Sequence, residues 1–274
     1  MGVRVVAGVV VAALFVALAT ARLSAPGPAD FYIEPTTGMV LVAIRPGSFM
    51  MGSPESEAGR NDDEYSHHVA IPRLFYIGQH EVTQTEWKQV MGSNPSSFAG
   101  CERCPVEQVD FYQVNEFISR LNAGANAMRF RLPTEAEWEY ACRAGTTTPF
   151  NTGTQLSTDQ ANFDGRFPAS DREGGASHEK TLSVGQFPPN AWGLYDMHGN
   201  VWEWTNDWYG PYEPRKDVDP RGADAGVKRV IRGGSWRVDA SSARCALRYT
   251  HAPQDRGYSL GFRVVGELRR PRRR

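Results

Sequence analysis

The residues of this 274-residue chain with the plainest chemistry are oxygen donors around one turn. Asp196 and Glu203 bracket a stretch in which Gly199 and Asn200 tolerate left-handed backbone angles. Such a turn can aim carbonyl oxygens inward between two acids, and a hard cation such as calcium takes that mixture of ligands. Without a metal, the same acids would serve as hydrogen-bond acceptors for the loop. A second group, His67, His68 and His80 with Asp62, Asp63 and Glu64, has the residue types of a 2-His-1-carboxylate iron site. Its spacing gives iron no support, because His67 and His68 are adjacent and point apart in an extended chain. A solvated polar loop is the expectation there. Cys101 and Cys104 form a C-x-x-C in the turn-like stretch Gly100–Pro105. Zinc would need two further ligands, and Cys142 and Cys245 are far away in sequence.

The start of the chain bears on those thiols. Arg4 precedes an apolar run from Val5 to Leu18, followed by Ala19-Thr20-Ala21, a small-residue cleavage site. Residues 1–22 therefore read as a signal peptide; uncleaved, they would anchor the domain to a membrane. The expected location is periplasmic or secreted, where Cys101 and Cys104 should form a small structural disulfide. Cys142 and Cys245 stay open, as a pair or as two buried thiols.

Composition places the rest among ordinary globular chains, with 41% hydrophobic and 22% charged residues. A net charge of -1 gives no electrostatic reason to expect nucleic acid as a partner. With 27 Gly, 18 Pro, seven Trp and ten Tyr, a loop-rich fold packed around aromatics is expected. Residues 23–38 read as a linker, 39–266 as one domain with a single core, and 267–274 as a basic, solvated tail.

Within the domain, strands are expected at Met39–Ile44, Ser48–Met51, Leu74–Ile77, Val230–Gly233 and Gly261–Val265. Residues 53–68 read as an acidic loop. Capping boxes open helices after Thr83 (with Glu86) and Thr134 (with Glu137), spanning Gln84–Met91 and Glu135–Arg143. Asp110 caps a third, in which Val114, Phe117, Ile118 and Leu121 follow helical spacing up to Gly124. Glu135 and Glu137 sit in a first turn, where the helix dipole favours acids. That position explains them without a catalytic role. The tryptophans at 202, 204, 208 and 236 are expected in the core.

Four segments together resemble one family. They are GSFMMG (Gly47–Gly52), RLPTEAEWEYACRAG (Arg131–Gly145), FPPNAWGLYDMHGNVWEWTNDW (Phe187–Trp208), and RGGSW (Arg232–Trp236) with LGFRVV (Leu260–Val265). The chain is similar in these to the formylglycine-generating-enzyme, or sulfatase-modifying-factor, family. The resemblance implies an α+β fold related to the C-type-lectin-like architecture, with little regular secondary structure. It implies a structural calcium site of Asp196 and Glu203 side chains with Gly199 and Val201 carbonyls. A second calcium site would begin at Asn162 and Phe163, its acidic partner lying among Asp171, Glu173 and Glu179.

The active enzymes of that family oxidise a sulfatase cysteine to formylglycine with oxygen and copper(I), the metal being held by two thiolates after the G-G-S-aromatic motif. Here Ser235 matches the active-site serine. The first thiolate position is Val238, the segment is shorter, and Cys245 matches a structural cysteine. Soft copper(I) is not expected at such a site, nor is standard formylglycine formation. Two readings remain. One is a non-standard oxidase of a protein or peptide, since other relatives without the cysteine pair, such as the exported protein of pyoverdine maturation, are linked to oxidative tailoring. The other is a non-catalytic, calcium-stabilised binding or accessory module.

Overall fold

The computed structural model describes residues 30–124, 127–167, 175–212 and 217–269. The leader, Asp171, Glu173 and the arginines beyond Arg269 lie outside the described residues. No helix among those described is long and apolar enough to cross a membrane.

The frame is an antiparallel five-stranded sheet built from β1 (Phe31–Ile33), β2 (Val40–Ile44), β5 (Phe75–Gly78), β11 (Val265–Leu268) and β6 (Met128–Arg131), in that order. Successive side chains point to opposite faces, so Leu41 and Phe130 join one apolar cluster and Val42, Ile44, Ile77 and Val265 another. Helices α1 (Gln84–Met91) and α2 (Phe111–Ala123) cover the first face through Trp87, Val114, Phe117, Ile118 and Leu121. Helix α3 (Glu135–Arg143) covers the second through Ala136, Trp138 and Ala141. The single core expected from the sequence is thus divided among the described residues, with one large cluster on each face of the sheet and a small third one around Phe150, Ala161, Phe163 and Ala240.

All three helix starts are as their caps predict. Thr83, Asp110 and Thr134 each accept from the N3 backbone amide, and Glu86, Gln113 and Glu137 reach back to the cap. Strand β3 (Gly47–Met51) pairs with β4 (His67–Ile71), so the loop expected over residues 53–68 ends in a strand. A four-stranded sheet, ordered β10 (Leu260–Gly261), β7 (Trp202–Trp208), β8 (Arg229–Arg232) and β9 (Tyr249–His251), carries the loops of the site.

Other boundaries need correction. Phe31–Ile33 pairs with β2, so residues 23–38 are not all linker. The strand expected over Gly261–Val265 is two, in different sheets. Glu267 and Leu268 belong to β11 and not to the tail. Strand β7 escaped notice because it is buried on both sides, which erases the period of two. The fold is α+β with little regular structure, as expected.

Candidate functional site

The site is built on the turn that precedes β7. Asp196, Gly199 and Asn200 all have positive φ, 54°, 78° and 60°. Gly199 is obligatory: a Cβ there would lie 2.2 Å from the Asn162 carbonyl oxygen. That carbonyl accepts from the Asn200 amide at 2.7 Å, and the Asn200 side-chain oxygen accepts from Leu182 and from the Asn162 amide group. The turn is therefore tied to the loop at 162 and to the one at 182.

Its two acids are placed differently. Asp196 is buried and its Oδ2 accepts from the Gly185 amide at 2.7 Å. Burial pushes its carboxyl up to about 6, and the nearby Glu203 carboxylate adds to the rise. Glu203 is fully buried and engaged on both oxygens. Oε1 accepts from Arg263 Nη2 at 2.6 Å, and Oε2 from Arg263 Nε and Trp138 Nε1, each at 2.7 Å. A guanidinium thus stands beside the expected metal ligand. Arg263 also donates to the carbonyls of Gly78, Tyr195 and Asp196.

A third acid completes the group. Glu81 is fully buried, and neither of its carboxylate oxygens has a hydrogen-bond partner. Burial, then the fields of Asp196 and Glu203, raise its carboxyl well above the ordinary range, against the pull of Arg263. Three carboxylates therefore surround one cation. Among the described residues, only Cys142, His198 and Cys245 bring three donor atoms within 4.8 Å of one another, so these carboxylates do not converge on a point. The donor chemistry nonetheless fits a hard cation, because Glu81 presents two oxygens with no proton donor. A calcium ion at the expected Asp196–Glu203 position would have to share Glu203 with Arg263. No motif or spacing marks Glu81, which is more than a hundred positions away from the turn.

At Asn162, the side-chain oxygen is buried without a donor while the amide group donates to Lys180 and Asn200. Phe163 follows it, buried. Of the acids considered for this second site, Glu179 is exposed and paired with Arg166.

Ser235 is reached from the same turn. Arg232 ends β8 fully buried, donating to Glu139 Oε2 at 2.6 Å and to the carbonyls of Cys245, Ala246 and Leu247. The Gly199 amide donates to Gly233 and the Trp236 amide to Asn200, so the serine loop is bonded directly to the turn before β7. The Ser235 hydroxyl is buried with no partner. Val238 packs against the core, and Cys245 is bonded to Cys142. No thiolate is left at this loop, so the donor set does not fit copper(I).

The expectation that Trp236 lies in the core is wrong. Its ring is half-buried and meets Phe98 (centroids 5.6 Å apart) and Tyr258 (5.7 Å), while Arg237 lies 4.8 Å over the Tyr258 ring. The three rings form an aromatic mouth on three separate loops. Trp202 and Trp204 are buried as expected, whereas Trp208 is half-buried outside the core clusters, with the Arg229 guanidinium 3.5 Å over its ring.

The other candidates are structural. Cys101 and Cys104 form a disulfide. His198 lies against the Cys142–Cys245 disulfide, with Nδ1 on the Ala243 carbonyl and Nε2 accepting from Asn151, and burial pushes its pKa down to about 4. The histidines and acids with the residue types of an iron site do not meet. His67 Nδ1 contacts the Tyr65 carbonyl, His80 Nδ1 that of Glu81, Glu64 pairs with Arg244, and Asp63 accepts from Tyr209. Glu135 is ion-paired with Arg248, and Glu137 with Arg131.

Residues 29–268 match the sulfatase-modifying factor enzyme 1-like domain. The chain belongs to this family. It is similar to the mouse formylglycine-generating enzyme, 39% identical over 146 residues that cover 50% of this chain and 39% of the mouse protein. It therefore spans about two fifths of that relative's length. A chaperone protein, LppX, of Paenibacillus barcinonensis is 30% identical over 238 residues, covering 70% of this chain and 79% of LppX. The structure of PvdO from Pseudomonas aeruginosa superposes with a TM-score of 0.75 at 31% identity, covering 89% of this chain and 100% of PvdO.

Proposed function

We propose that this family member is an exported binding or accessory protein that takes a peptide or protein segment at the aromatic mouth beside Ser235. The observation that carries this reading is the loop at 235–245, where Val238 and a disulfide-bonded Cys245 replace a soft-metal donor set. What remains is Phe98, Trp236 and Tyr258 with the Arg237 guanidinium, the residue types that dominate recognition surfaces. Two disulfides support an oxidising compartment. The likeness to a protein named as a chaperone supports an accessory role. Calcium, held around Glu81 and Asp196, would keep the turn that fixes the Ser235 loop.

The test is selection of a displayed random-peptide library on the immobilised protein. Enriched peptides should bind the wild type and lose at least about 2 kcal/mol with Trp236→Ala, as a central aromatic anchor does. Enrichment indifferent to Trp236 and Tyr258 would overturn the reading. A non-standard oxidase is the second reading, favoured by the full-length match to PvdO and by the partnerless Ser235 hydroxyl. Stoichiometric iron or copper in the purified mature protein would favour it; calcium alone favours the binding module.

A further inference from the structure

A groove of about 850 Å3 runs along β6, the outer strand of the five-stranded sheet, and α2. Arg73, Arg129, Arg131, Arg221 and Arg269 line it. Three carboxylates answer these five guanidinium groups. Arg73 and Arg221 share Asp219, and Arg131 is held by Glu137 and Glu267. Among the described residues, Arg269 donates only to the neutral carbonyls of Met128 and Asn122, and the exposed Arg129 makes no ion pair. Positive charge is therefore concentrated here in a chain whose net charge is -1.

The groove's backbone is closed to a partner strand. The Asn122 side chain donates to the Phe130 carbonyl and accepts from the Phe130 amide, both at 2.8 Å, filling the outward pair of β6. Arg269 caps the Met128 carbonyl. A peptide could not add a strand to this edge. No exposed aromatic ring lines the groove, so it offers no platform for nucleobases. What it offers is guanidinium forks, which match sulfate and carboxylate bidentately, and the polar side chains of Asn115, Ser119 and Asn206, suited to hydroxyls.

We propose that this groove binds an acidic polysaccharide through its guanidinium array. The site is independent of the aromatic mouth. Calorimetric titration of the mature protein with a heparin oligosaccharide, over a series of salt concentrations, is the test. Arg129→Gln with Arg221→Gln should weaken binding roughly tenfold and lower the salt slope by about 2, one per lost cation. Truncation after Arg269 removes Arg270 and Arg272–Arg274, which could attract any polyanion; the difference between wild type and double variant should survive it. Trp236→Ala should leave heparin binding unchanged. Equal binding by wild type and double variant, or a difference that disappears with the tail, would overturn the proposal. So would a preference for poly-glutamate or for phosphatidylglycerol vesicles over heparin.

Discussion

Glu81→Gln separates a calcium site from a loop held only by hydrogen bonds. Because neither Glu81 oxygen has a donor, the substitution breaks no hydrogen bond and keeps the side chain's shape. It removes a carboxyl whose ionisation burial and the neighbouring Asp196 and Glu203 oppose. In chelator, the variant should therefore be as stable as the wild type or more so. With calcium, the wild type gains about 2.7 kcal/mol at a hundredfold excess over Kd, or roughly 5–10 °C in Tm for a domain of this size. The variant should lose most of that gain, and magnesium should substitute poorly, since it sheds its waters reluctantly. Glu203→Gln is a poorer probe, because it strands Arg263 and costs about 3–5 kcal/mol whether or not a metal binds. Differential scanning fluorimetry of both variants with chelator, calcium and magnesium checks this. An unchanged wild-type Tm after confirmed metal removal, or a calcium response that survives in Glu81→Gln, would refute the reasoning.

Replacing Cys142 and Cys245 together by alanine should cost about 4–5 kcal/mol, since their bond closes a loop of 103 positions. Opening Cys101–Cys104 should cost less than ~3 kcal/mol, because its loop is short; urea denaturation with and without reductant compares them. Asp207 is pushed up to about 8, first by burial and then by Glu135. A folded pKa above the unfolded value contributes stability that is present in acid and lost as pH rises from about 4 through about 8. Asp207→Asn should flatten that decline, so that its advantage over the wild type in urea denaturation grows between pH ~5 and ~9.

The helices were legible because each start is local chemistry: Thr83 with Glu86 and Thr134 with Glu137 satisfy backbone donors within one turn. The tight turn before β7 was legible for the same reason, since Asp196, Gly199 and Asn200 are neighbours with positive φ. Glu81 and Arg263 were not, because burial and charge reach them from other strands, and no period or spacing records a long-range ion pair. The Arg263–Glu203 pair also gives Glu203 a cationic partner that the sequence reading did not include. Trp236 was misread because an aromatic residue types both cores and binding surfaces, and only its neighbours Phe98 and Tyr258 decide which. Strand β7 lost its alternation by being buried on both faces.

We propose that the loop carrying Ser235 works without the copper chemistry that its family resemblance implies. Mass spectrometry of a peptide with the sulfatase-type cysteine motif, incubated with the purified protein, copper(I) and oxygen, tests it most directly. Val238 offers no ligand and Cys245 is held by Cys142, so the peptide should keep its thiol mass. Loss of the thiol with a new aldehyde in its place would contradict the claim.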